Sequence, residues 1–467
     1  MSEFTWTDRS VRQALNLSTN LVDPSIEYAG VSTDSRLVEE GALYVALIGE
    51  YFDGHDFVAD ALAKGAAGAV VSRPVQTSSR VPLYPVDDTL DALGFLAAFR
   101  RASLDVPVIA ITGSSGKTTT KDLTRAALEI KKSVHATPGN LNNRIGVPLT
   151  LLSTPIEAEV VLLELGSNEP GEISALAAIA RPDIAVVTTV GESHLDKLGS
   201  FQGVLNEKLD LFRSMIEGGR CVVGDEPEAL VDAARAICSD LRIAGWSERA
   251  DEDLRPEQVD LDVFGEYRFK WRGQPVTLAL PGRHSVVNAL ISLAISELVG
   301  VSPRDAVRGI ATAEISPLRS EIRQIGNMKV IVDCYNANPQ SLRAALELLS
   351  EQPRCSRTVA LLGTMLELGD EATRLHKETL EYALELNLDL VVATGGFAEA
   401  AEVLRLGEPE VLRAEDWKQA YPIFREWLNG DEVLLLKASR GIALEAVLPR
   451  LESDFGAGSS SPTVGHA

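Results

Sequence analysis

Apolar residues along this chain come in short runs of four or five, parted by longer stretches with helical spacing, the pattern of alternating strands and helices. The run Val108-Ile109-Ala110-Ile111 is rich in β-branching and reads as a buried strand, and Leu123, Ala126 and Leu128 mark a helix over 121–130. Further strands are expected at 159–163, 184–189 and 220–223 with helices between them, as in a mostly parallel sheet. Ahead of them, strands at 42–48 and 68–71 and helices at 56–64 and 88–101 make a small α/β unit. Behind them, an antiparallel hairpin is expected at 267–271 and 276–280, turning at Arg272-Gly273. A third alternation follows, with strands at 329–333, 358–362, 389–393 and 432–436 and helices at 340–350, 373–386, 397–405 and 417–428, a doubly wound, Rossmann-like arrangement. The fold class is therefore α/β in three domains, 1–104, 105–316 and 317–454, and the Gly/Ser-rich tail 455–467 is expected to be mobile.

Composition narrows the function classes. With 45% hydrophobic and 24% charged residues, the chain can bury large cores and is not a disordered protein. A formal charge of −23 argues against nucleic acid as a partner, so any anionic substrate must be met by local cations. The polar first residues and the lack of an apolar run of about 18 predict a soluble, cytoplasmic protein without membrane insertion. Cys221, Cys238, Cys334 and Cys355 show no Cys-x-x-Cys spacing and are expected to be free thiols, with no cysteine nucleophile.

The chemistry concentrates between the strand at 108–111 and the helix after it, in Thr112-Gly113-Ser114-Ser115-Gly116-Lys117-Thr118-Thr119. A loop there presents several backbone N–H groups at a helix start, worth roughly half a positive charge, and so suits polyanionic phosphate. Lys117 adds a cation, and the Thr118 hydroxyl can ligate a magnesium ion between phosphates. Two residues separate the glycines where the usual P-loop has four, but the strand-to-helix context is the required one. Strand ends of an open parallel sheet converge on one edge, which singles out three residues further on. Glu164 is placed to hold a metal opposite Thr118, or to cap a helix; His194 is a second ligand, a substrate contact or a satisfied loop histidine; Lys208 taken alone is an ordinary solvated helix lysine. In the first unit, Ser32-Thr33-Asp34-Ser35-Arg36 and Phe52-Asp53-Gly54-His55-Asp56-Phe57 are unusually polar, and turn and capping chemistry accounts for them equally well.

Taken in order, these segments resemble those of the Mur ligases. The matching stretches are 32–36, Gly49-Glu-Tyr-Phe-Asp-Gly-His-Asp56, 112–119, Pro138-Gly-Asn-Leu-Asn-Asn-Arg-Ile-Gly-Val-Pro148, Glu164-Leu-Gly166, Gly282-Arg-His284 to Asn288, and Tyr335-Asn-Ala-Asn-Pro339. They span nearly the whole chain. The short P-loop is that family's own form, and the segment 335–339 is similar to that of the member adding D-alanyl-D-alanine. Relatives that add diaminopimelate or lysine carry Asp-Asn-Pro there, and those, with the folate-acting ligases, are the rival reading. A non-catalytic nucleotide-binding protein is the other rival, opposed by the presence of Lys117, Thr118, Glu164 and His194.

The resemblance implies an ATP- and Mg2+-dependent ligase that joins D-alanyl-D-alanine to UDP-N-acetylmuramoyl-tripeptide through an acyl phosphate, working as a monomer. Domain 1–104 would grip the UDP end, 105–316 would bind ATP, and 317–454 would close over the nucleotide and take the dipeptide. ATP contacts are implied for Gly113, Ser114, Ser115, Gly116, Lys117, Thr118, Thr119, Asn288 (adenine), Arg319 (phosphate) and Asp333 (ribose). Substrate contacts are implied for Ser35, Arg36, Asp53, Gly54, His55, Asn140, Asn142, Asn143, Asn336 and Asn338. Metal positions fall on Thr118 for the magnesium ion, on Glu164 and His194 for the second metal, and on Lys208, which is carbamylated in relatives; catalytic roles fall on Lys117, His194 and Lys208. The sequence departs from the family pattern at Ser285, where Asn is common, at Thr364, where Asp often precedes Met-x-Glu-Leu-Gly, and at Ala438, where Gly is usual in Lys-x-Ser-Arg.

Overall fold

The strand Val108–Thr112 has all five residues fully buried, and its two faces feed two different cores. Val108 and Ala110 pack with Leu163, Leu176 and Leu209 on one side, and Ile109 and Ile111 with Leu123, Leu290 and Ala294 on the other. That alternation is what a strand covered by helices on both faces requires. At roughly 1.5–3 kcal/mol per fully buried Val or Ile side chain, three such residues in one strand anchor the sheet firmly.

The computed structural model describes residues 4–19, 22–77, 81–262, 265–352, 357–407 and 411–456. Among them the central sheet has six parallel strands in the order Leu241–Ala244, Arg220–Gly224, Ile184–Val187, Val108–Thr112, Val160–Glu164, Val134–Ala136. From Val108–Thr112 the chain goes to the edge strand Val134–Ala136, returns to Val160–Glu164 between the two, and then crosses to build outward on the other side, so strand order reverses at the glycine-rich loop, where such sheets bind ligands. The helix Arg283–Leu298 is buried along most of its length and lies against the helix Lys117–Glu129. Beside it sits an antiparallel sheet of Glu257–Leu261, Glu266–Trp271 and Gln274–Pro281, the expected hairpin with a third strand added.

The first domain pairs Val31–Ser32, Leu43–Val45, Gly68–Val71 and Leu83–Pro85 in parallel. In the third, Met328–Asp333, Val433–Lys437, Thr358–Leu362, Leu390–Thr394 and Val411–Ala414 run parallel, and Glu321–Ile325 adds an antiparallel edge. Gly326-Asn327 between the paired edge strands is a turn signal that pattern reading passed over.

Several expectations change. The helix after the loop begins at Lys117, not 121, because three threonines with poor helix propensity disguise its first turn. The strand expected at 42–48 narrows to Leu43–Val45. The helix expected over 417–428 ends at Phe424 and tightens to a 3-10 turn at Arg425–Trp427, with Pro422 inside it. Free thiols are expected at all four cysteines, yet Cys221 and Cys238 form a disulfide, since Cys221 lies on a strand against which the helix Glu228–Ile237 packs, returning the chain to it. Cys334 is free and buried, and Cys355 lies outside the described residues. Phe455 closes the helix Leu448–Phe455 instead of opening a tail, and the expected mobile segment from 457 on lies outside the described residues. Among the described residues no helix is long and apolar enough to cross a membrane.

Candidate active site

The loop 113–116 is shaped by its neighbours before any ligand is considered. Ser114 N–H donates to Thr189 O at 2.9 Å, Ser114 Oγ donates to Gly191 O at 3.0 Å, and Ser193 Oγ donates to Ser114 Oγ at 3.0 Å. Thr188 Oγ1 donates to Ser115 O at 2.5 Å. The segment 188–193 at the end of the adjacent strand thus holds the loop open. Gly116 has φ +80° and a Cβ there would meet Asn288 Oδ1 at 2.6 Å, so both conformation and space demand glycine. No side chain caps the helix Lys117–Glu129. Its first N–H groups are left for an anion.

Lys117 Nζ donates to Gly113 O at 2.6 Å. Enclosure lowers its pKa, Glu164 pulls the value back up, and Arg319 adds to the lowering, so all three charges share one site. The Arg319 guanidinium stacks on Tyr335 at 3.9 Å, and its buried Nε has no hydrogen-bond partner. An unpaired donor beside a P-loop lysine is a place for a phosphate oxygen. Asn288 is buried below the loop and accepts from Thr120 Oγ1 at 3.3 Å. Thr119 stays partly exposed on the first helical turn.

Thr118 Oγ1 donates to Glu164 Oε2 at 2.8 Å, and Asn142 Nδ2 donates to Glu164 Oε1 at 2.8 Å. Glu164 is the last residue of its strand and is buried, so its helix-cap reading is replaced by this pairing. Two oxygen donors beside a phosphate-shaped loop fit a magnesium ion, which takes few protein ligands and completes its shell with phosphates and water. Among the described residues no three His, Cys, Asp or Glu side chains cluster into a protein-only cage.

Lys208 is not a solvated lysine. It is 1% exposed and Nζ donates to Ser167 Oγ at 2.7 Å. Loss of solvent, then repulsion from Lys117, pushes its pKa down to about 7, against the pull of Glu207 and Glu172. His194 starts the helix Leu195–Leu198 with φ +53°, and its Nδ1 lies 2.6 Å from Glu367 Oε2, within ion-pair reach but off the line of a hydrogen bond. That contact is the first cause holding the Glu367 carboxyl below its usual range.

The third domain reaches the same loop. Asn338 Nδ2 donates to Ser115 Oγ at 3.1 Å and Ser114 O at 3.4 Å, while its Oδ1 caps the helix Pro339–Ser350 by accepting from Ser341 N at 2.8 Å. Gln340 Nε2 donates to Thr189 Oγ1 at 2.7 Å. Asp333 is held by the buried Lys437, whose Nζ donates to Asp333 Oδ2 and to Asn336 O, both at 2.7 Å. Asn336 turns its Oδ1 to the N–H of Ala337.

The other expected substrate residues lie apart from the loop or beside it, most of them with partners of their own. Asn143 Oδ1 accepts from Ile145 and Gly146 N–H at the start of the helix Gly146–Leu152, Asn142 clamps Glu164, and Asn140 is exposed. In the first domain, His55 is buried with Nδ1 2.6 Å from Asp53 Oδ1 and Nε2 accepting from Ser72 N at 2.8 Å. Gly54 lies under Leu47, and Asp53 also takes Arg73. Arg36 is exposed and paired with Asp34, while Ser35 beside it is half-buried and its carbonyl accepts from Lys64 Nζ at 3.0 Å. Of the departures, Ser285 bonds back to Pro281 O at 2.7 Å, and Thr364 Oγ1 accepts from Gly396 N at 3.0 Å, tying two strand-end loops together. Glu367, Ser167, Thr188, Gln340 and Lys437 were not named as site residues by sequence reading, although Glu367, in Met-x-Glu-Leu-Gly, and Lys437, in Lys-x-Ser-Arg, stood in segments already singled out.

Three segments match Mur ligase family models: the catalytic domain at 27–101, the middle domain at 111–296 and the glutamate ligase domain at 318–440. The UDP-N-acetylmuramoyl-tripeptide--D-alanyl-D-alanine ligase of Bacillus subtilis is 35% identical over 442 residues, covering 92% of this chain and 95% of that protein. The crystal structure of MurF from Acinetobacter baumannii superposes with a TM-score of 0.87 at 31% identity, covering 97% of this chain and all of that one. MurF from Thermotoga maritima in complex with ADP gives 0.80 at 28% identity, over 91% and 97%. With a P-loop, a loop-facing third domain and full-length likeness all in agreement, the chain belongs to the Mur ligase family.

Proposed function

We propose that this chain is the ATP-dependent ligase that joins D-alanyl-D-alanine to UDP-N-acetylmuramoyl-tripeptide in peptidoglycan precursor synthesis. The observation that carries it is the meeting of Lys117, Arg319, Glu164 and Lys208 around one uncapped helix start, in a chain matching ligases of that name over nearly its full length. A carboxylate becomes an amide only once one of its oxygens is a leaving group. The tripeptide carboxylate oxygen attacks the γ-phosphorus, the bond to ADP breaks, and an acyl phosphate forms. The dipeptide amine then attacks the acyl carbon, phosphate leaves, and the amine loses a proton. Lys117, Arg319 and the N–H groups of 114–119 gather the charge that develops on the transferred phosphoryl. Magnesium, with Thr118 and Glu164 at one position and His194 and a carbamylated Lys208 at the second, would neutralise phosphate charge there. Asn338 brings the third domain against the loop, and Gln340 and Glu367 bring it against Thr189 and His194 nearby, where it excludes water that would hydrolyse the acyl phosphate.

Domain 1–104 holds the UDP end in this reading, with Ser35 and Arg36 among its contacts, and 317–454 receives the dipeptide beside Asn336. The protein works as a cytoplasmic monomer. Phosphate release, measured with the UDP-tripeptide and a panel of amines, should respond to D-alanyl-D-alanine. Turnover with UDP-dipeptide and meso-diaminopimelate instead would transfer the chain to the sister ligase.

A further inference from the structure

We propose that Glu367 is a positioning residue for His194: the third domain supplies the carboxylate that fixes the imidazole, so the second metal position is complete only when that domain is docked. This rests on reading His194 as a metal ligand. His194 belongs to the central domain and Glu367 to the loop after the strand Thr358–Leu362, yet Nδ1 and Oε2 stand 2.6 Å apart. With Nδ1 turned to a carboxylate, Nε2 is the ring nitrogen left to face a cation. Histidine ligands are commonly oriented by a carboxylate on the far nitrogen, and removing that partner typically costs 10–100-fold in metal affinity.

The arrangement is built rather than incidental. Both residues occupy the left-handed region, His194 at φ +53° and Glu367 at φ +64°, which non-glycine residues rarely adopt. The Glu367 loop is braced from within its own domain: Met365 N donates to His376 Nε2 at 2.9 Å and Leu366 N to Ser439 Oγ at 3.0 Å, with Met365 and Leu368 buried. Asp196 N donates to Glu367 O at 3.4 Å, and the turn Gly369–Glu371 packs on the helix Leu195–Leu198. The carboxylate is therefore delivered by a rigid loop docked on the same short helix that His194 begins. Its side chain is 51% exposed, so substitution leaves the core untouched.

Manganese binding to the full chain, followed by electron paramagnetic resonance with a non-hydrolysable ATP analogue present, tests this. Glu367→Gln should weaken one of two manganese ions about tenfold or more and leave the other unchanged, with Glu367→Asp recovering part of the loss. In solution scattering, the second manganese should compact the parent protein but not Glu367→Gln. Unaltered binding of both ions by Glu367→Gln, while His194→Ala loses one, would overturn the role of Glu367 alone. Retention of both ions by His194→Ala would instead remove the metal reading on which it stands.

Discussion

Lys208 offers the most demanding test, because one number bears on both activity and stability. A lysine at its ordinary pKa of 10.5 is neutral in about 3 molecules per 10,000 at pH 7, whereas one brought to about 7 is neutral in about half. Only the neutral amine adds CO2, so the fold raises the reactive fraction by about three orders of magnitude. Turnover should fall at least ~10-fold when CO2 and bicarbonate are stripped from the assay. It should also fall as pH drops below 7, where the amine reprotonates, and bicarbonate should restore it. Lys208→Ala should lose most of its turnover and regain part with a small carboxylate.

The same burial costs stability. The unmodified lysine's pKa is lower folded than unfolded, so the unfolded state binds the extra proton, and stability falls as pH drops from 10.5 to about 7 and then levels off. At 1.36 kcal/mol per pH unit the ceiling is about 5 kcal/mol. In CO2-free buffer, Lys208→Met should therefore melt higher than the parent at pH 7, with the gain shrinking toward pH 10. Full activity of Lys208→Ala without CO2, or a Lys208→Met protein no more stable at pH 7, would refute the reasoning.

Other outcomes are open to simpler tests. Lys117→Ala should lose on the order of 10²-fold in turnover with an unchanged circular dichroism spectrum, because the loop is shaped by residues 188–193 and its glycines rather than by the lysine. Asn142→Ala removes one of two donors from the buried Glu164 carboxylate, a loss of about 1–3 kcal/mol that should appear as weaker manganese binding in the presence of ADP. Gly395→Ala should lower the melting temperature, since φ is +55° there and the added carbon would strike Thr364 Oγ1; an unchanged melt would show that the strand-end loops yield easily.

Much of this was legible beforehand, and the boundary has physical causes. Strands buried on both faces, such as 108–111 and 358–362, announce themselves through unbroken β-branched and leucine runs. The phosphate loop shows because glycine, lysine and threonine are each needed locally. Glu367 was not legible as a partner of His194, because 173 positions part them and only the docked third domain brings them together. The hydrogen bonds of His55 and Asn143 to backbone N–H groups were not legible either, because polar residues in turns read alike whether they face a ligand or satisfy the backbone. Lys208 needed the resemblance, since its own neighbourhood on the helix carries no sign that its ammonium lies at the bottom of a dry site.

The resting place of Lys117 on Gly113 O bears on how fast the nucleotide comes and goes. A free lysine meeting phosphate gives up most of its rotamer freedom, about 2 kcal/mol, and sheds its water at that moment. Here the side chain is already half-buried and its ammonium already hydrogen-bonded, so an arriving phosphate exchanges one oxygen acceptor for another. Departure is eased in the same way: when ADP leaves, the ammonium swings back to a carbonyl instead of being stranded bare, and the internal acceptor acts as an understudy that keeps tight phosphate contact from becoming slow release.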